Sequence, residues 1–65
     1  MEQIETIAKL VEVLENTASA PPVEITIGSA GMILRVFEDN KTRAFCDITP
    51  DDCIAQLKVV LRGAV

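Results

Sequence analysis

Histidine, tyrosine and tryptophan are absent from this 65-residue chain, and Phe37 and Phe45 are its only aromatic residues. Without histidine the commonest general acid–base group is missing, and neither cysteine has its usual activating base. Those cysteines, Cys46 and Cys53, allow at most one internal disulfide, which excludes a dense secreted framework. They also lack the spacing and the companion ligands of a zinc site, so no metal and no cofactor is expected. No apolar run approaches the ~20 residues that span a bilayer, and no membrane partner is expected. The start of the chain carries Glu2 and Glu5 where a signal peptide would be basic, which predicts a cytoplasmic protein. Asn40-Lys41-Thr42 matches a glycosylation sequon that carries no meaning in that compartment. Bases are scarce as well: six Lys and Arg against ten Asp and Glu give a net charge of −4. That balance argues against direct nucleic-acid binding, because phosphate attraction supplies most of such affinity.

What the chain does have is apolar material, 49% of its residues, enough for one small core. Residues 1–65 are expected to form a single domain. Residues 3–16 predict an amphipathic helix, with Ile4, Ile7, Leu10, Val11 and Leu14 on one stripe. Glu2, Glu5, Lys9, Glu12 and Asn16 fall on the opposite face, and Pro21-Pro22 ends the run. Val23 to Ile27 alternates as a half-buried strand. Gly28-Ser29-Ala30-Gly31 precedes no helix, so it reads as a turn and not as a phosphate loop. Met32 to Phe37 and Thr42 to Ile48 follow as strands. Thr49 is a capping hydroxyl, Pro50 a first helical residue, Asp51 and Asp52 the acids of a first turn. Gly63 is placed to close this second helix.

The predicted class is therefore α+β, in the order α-β-β-β-α. A three-stranded antiparallel meander carries both helices on one face. The expected core comprises the α1 stripe above, Val23, Ile25, Ile27, Met32, Leu34, Val36, Ala44, Cys46, Ile48, Ile54, Leu57, Val60 and Leu61. Parity then sends Ile33, Arg35, Phe37, Arg43 and Phe45 to the open face. A three-residue loop, Asp39-Asn40-Lys41, sets Arg35 against Phe45 and Phe37 against Arg43. Such a face reads as a partner-binding patch or a dimer seam, or as cation–π decoration without a partner. A loop one residue shorter, or a bulge, turns Phe45 inward and makes it core.

The acids cluster. Glu2, Glu5, Glu12 and Glu15 lie on or near one helix face, Glu38 and Asp39 at a hairpin tip, and Asp47, Asp51 and Asp52 around the start of the second helix. Carboxylates repeated every few ångströms imitate a phosphate backbone, where a strand carries one charge per ~3.4 Å. The plainer reading is a solvated surface that keeps a small protein soluble. An acid-pair hydrolase needs two carboxylates converging in a pocket, for which this chain has little room, and no catalytic residue is assigned. Cys53 lies where a helix dipole lowers a thiol pKa, but it and Cys46 read first as small buried apolar residues.

In size, acidity, α+β build and lack of catalytic residues, the chain resembles small phage-encoded inhibitors of bacterial defence. Among these it is most similar to the anti-CRISPR proteins that inhibit type I effector complexes. The resemblance implies an inhibitor in the bacterial host cell. It would bind a protein partner with a basic nucleic-acid-binding surface, such as a CRISPR effector subunit, and block target DNA, in some cases as a DNA mimic. The residues it implies are Glu2, Glu5, Glu12, Glu15, Glu38, Asp39, Asp47, Asp51 and Asp52. A homodimerising or scaffold module built on the open sheet face is the alternative.

Overall fold

The computed structural model describes residues 2–29 and 31–64; Ala30, expected in the first turn, lies outside them. The chain forms α1 (Glu2–Glu15), β1 (Val23–Gly28), β2 (Gly31–Glu38), β3 (Lys41–Phe45) and α2 (Pro50–Ala64). The sheet is antiparallel in the order β1-β2-β3, as expected for short connections.

Local chemistry explains where the helices stop and start. Beyond α1, the Thr17 amide bonds the Leu14 carbonyl at 3.1 Å and its hydroxyl bonds the Val13 carbonyl at 2.7 Å, tightening the last turn. Pro21 and Pro22 then hold the chain extended into β1. At α2 the Asp52 amide donates to Thr49 Oγ1 at 3.2 Å, the expected cap. Burial pushes the Cys53 thiol above its ordinary pKa. Cys53 is a core residue and not a dipole-activated nucleophile, since reactivity needs the thiolate.

One cluster holds the fold together: Ile7 and Leu14 of α1, Met32, Leu34 and Val36 of β2, and Cys53, Leu57 and Val60 of α2. Both helices therefore lie on the face that Met32, Leu34 and Val36 present. Each fully buried leucine or valine there contributes about 1.5–3 kcal/mol. The helices run parallel, because two contacts fix both of their ends. Gln3 Nε2 donates to Asp51 Oδ1 at 3.2 Å near their starts, and the Ser19 hydroxyl donates to the Ala64 carbonyl near their finishes.

The register of β3 corrects the expected face assignment. Glu38 opposes Lys41, so the hairpin loop is the two residues Asp39-Asn40, with Asp39 in the left-handed region at φ 41°. Leu34 opposes Phe45 and Val36 opposes Arg43. Opposite residues share a face, so Phe45 and Arg43 lie on the helix side, and Thr42 and Ala44 on the open side. Ala44 and Cys46, expected in the core, are exposed, and Phe45 packs against the core in their place. Strand pairing ends at Phe45 and not at Ile48. An extra residue follows: the Ile48 amide bonds the Met32 carbonyl at 3.0 Å, one place out of step with the ladder, and Asp47 takes φ 53°. That bulge returns Ile48 to the core side three residues after Phe45. Ile4 and Ile27 are also less covered than expected, 43% and 64% exposed.

Candidate functional site

Parallel helices bring two separate acid clusters to one end of the molecule. Glu2 and Glu5 occupy the first turn of α1, and Asp51 and Asp52 that of α2. Gln3 ties the two turns together through Asp51. Asp47 joins them from the bulge, because its side chain lies over Gly31 at the start of β2. A Cβ on Gly31 would meet Asp47 Oδ1 at 2.5 Å. Gly31 itself has φ 106°, so glycine is needed there for both reasons. All five carboxylates are exposed. No Lys or Arg occurs in the first two turns of either helix, and Lys9, four residues after Glu5, is the first base along α1.

The other expected acids are elsewhere. Glu12 and Glu15 are exposed farther along α1. Glu38 and Asp39 sit at the opposite end, where the Glu38 carboxylate is paired with the Arg43 guanidinium. Asp39 and Glu38 also line an open depression of about 360 Å3 with Pro21, Pro22 and Phe37. Among the described residues no group of three or more His, Cys, Asp or Glu is placed to hold a metal ion. Among the described residues no helix is long and apolar enough to cross a membrane.

The open sheet face keeps Ile33, Arg35 and Phe37 from the expected set and loses Arg43 and Phe45 to the helix side. Arg35 is pinned there by Glu24 at 3.0 Å and Thr26 at 3.4 Å. Phe37 is 38% exposed and opposes Thr42, not an arginine. A cation–π contact joins Arg43 to Phe45, 6.0 Å from guanidinium carbon to ring centre, on the helix side. Cys46 and Cys53 are both free thiols.

Sequence reasoning named all five carboxylates of the starting end but not their assembly, which depends on the helices running parallel. An α-β-β-β-α chain with short connections reverses direction at each step, and that count carries the signal. It missed the bulge, whose trace is the three-residue spacing of Phe45 and Ile48. No protein-family model matches the chain, and neither a curated protein nor a solved structure matches it.

Proposed function

We propose that this protein is a binding inhibitor, which docks its carboxylate end on the basic groove of a nucleic-acid-handling protein complex and keeps DNA out. The observation that carries this reading is the meeting of Glu2, Glu5, Asp47, Asp51 and Asp52 at one end, with no Lys or Arg in the first two turns of either helix. They reach that end from three separate segments, α1, the bulge after β3 and α2, so the charges are held by the fold and not by one flexible segment. Lysine and arginine clefts that bind phosphate attract such an array over a distance set by ionic strength. The sharpest form of the proposal is a DNA mimic of the anti-CRISPR kind, acting on a type I effector complex.

The test is displacement of labelled duplex DNA from purified type I effector complexes, at low and at moderate salt. The wild-type protein displaces DNA at low salt and loses that power as salt rises. Asp51→Lys with Asp52→Lys abolishes displacement while the circular dichroism spectrum is retained. Undiminished displacement by this double variant removes these residues from the mechanism. A second reading, a scaffold that docks through the sheet, draws on the half-buried Ile33 and the exposed Phe37; it predicts binding that salt does not weaken and that Phe37→Asp removes.

A further inference from the structure

The two edges of the sheet differ in what they offer another strand. The Phe37 amide donates to the Pro22 carbonyl at 2.9 Å, and bonded pairs alternate along an antiparallel ladder. Glu24 and Thr26 therefore turn their main-chain groups toward β2. Val23, Ile25 and Ile27 turn theirs outward, to the free edge of β1. Within Val23–Gly28 that edge has no proline, no lysine, no arginine and no bulge, devices that normally stop strands from adding; Glu24 is its one charge and Pro22 flanks it. The β3 edge is shorter, carries Lys41 and Arg43, and runs into the bulge at Asp47.

The flank above β1 is apolar and only partly covered, with Val23 and Ile25 half-buried and Ile27 exposed. Ile27 is the most exposed large apolar side chain of the core-facing row, at 64%. Gln3 marks the side of α1 that faces α2. At 100° per residue, Ile4 and Val11 lie on the other side of the buried Ile7–Leu14 line. Ile4, at 43% exposed, thus lies on the side of α1 turned away from α2, at the end of the molecule that holds Ile27.

We infer that β1 pairs with β1 of a second copy across a two-fold axis at Ile25, making one six-stranded sheet. This register follows from parity and charge. Centred on Ile25, Val23 opposes Ile27 of the second copy and Ile25 opposes itself, and all of these carry outward main-chain groups. Each pair exchanges two hydrogen bonds, and every residue on the helix face of the seam is apolar. Glu24 meets Thr26 of the second copy, so no like charges oppose. Centring on Glu24 sets two carboxylates against each other. Centring on Thr26 leaves Val23 without a strand partner. The two-fold covers Ile27 with Val23 and sends the two carboxylate ends to opposite poles of the dimer.

Amide hydrogen exchange on the full chain, at micromolar and at millimolar protein, tests the pairing. The Ile25 amide is expected to slow by at least about tenfold as concentration rises, while sedimentation reports a dimer. Ile27→Lys, a change at an exposed position, yields a folded monomer in which that protection is gone. A protein monomeric at millimolar concentration overturns the proposal. So does a dimer that leaves the Ile25 amide unprotected, or one that Phe37→Asp dissociates and Ile27→Lys does not.

Discussion

The two ends of this molecule are built from the same elements and carry opposite charge economies. At the starting end of the helices, five acids meet, and the first two turns of both helices hold no Lys or Arg. At the finishing end, Glu15, Glu38 and Asp39 are matched by Lys41, Arg43 and Arg62, and Glu38 is paired directly with Arg43. Helix physics explains part of the difference, since acids complement the positive pole of a helix and bases the negative one. It does not explain Asp47, which belongs to no helix and takes a left-handed backbone to lie over Gly31. Nor does it explain Glu15 at the finish of α1, where a base would be favoured. The comparison teaches that a surface can be made strongly acidic by chain direction alone, with a net charge of only −4.

The largest expected effect removes the comparison altogether. Leu34 is fully buried between both helices, and Leu34→Ala costs about 2–5 kcal/mol. A core of this size supplies only about 3–5 kcal/mol, so urea titration should find the variant largely unfolded, with both ends lost. Gly31→Ala breaks the starting end selectively. The added methyl meets Asp47 and forces a non-glycine residue to φ 106°, which costs about 1–3 kcal/mol. Thermal melting should show that loss, and the nuclear magnetic resonance shifts of Asp47 should move while those of Glu38 and Asp39 stay. Thr49→Ala is the mildest. It deletes the acceptor of the Asp52 amide and costs about 1 kcal/mol, visible as faster hydrogen exchange in the first turn of α2 only.

Much of the fold was legible because local signals agreed with the global arrangement. The cap at Thr49, the break at Pro21-Pro22 and the alternation from Val23 to Ile27 each had a single physical reading. The face of β3 was not legible, because it hangs on one residue. Asp39-Asn40 closes a two-residue turn without glycine, by placing Asp39 at φ 41°, and that shift by one reverses every side chain after it. Phe45 could then replace Ala44 and Cys46 in the core with no change in composition. Coverage was not legible either. Ile4 and Ile27 satisfy the patterns of a buried stripe and a buried row, yet Ile27 is on an edge strand and stays exposed while its β2 partner Met32 is buried. For the candidate site, the acids were legible as a list, and their division between two ends depended on topology.

The most direct measurement is a comparative pull-down from bacterial lysate at low and high salt. It would use the wild-type protein, a starting-end variant (Glu2→Gln, Glu5→Gln, Asp51→Asn, Asp52→Asn) and a finishing-end variant (Glu38→Gln, Asp39→Asn). The account predicts that nucleic-acid-handling proteins bind the wild type and the finishing-end variant at low salt, and are lost at high salt and from the starting-end variant. Equal capture by both variants, or capture that salt leaves unchanged, would contradict it.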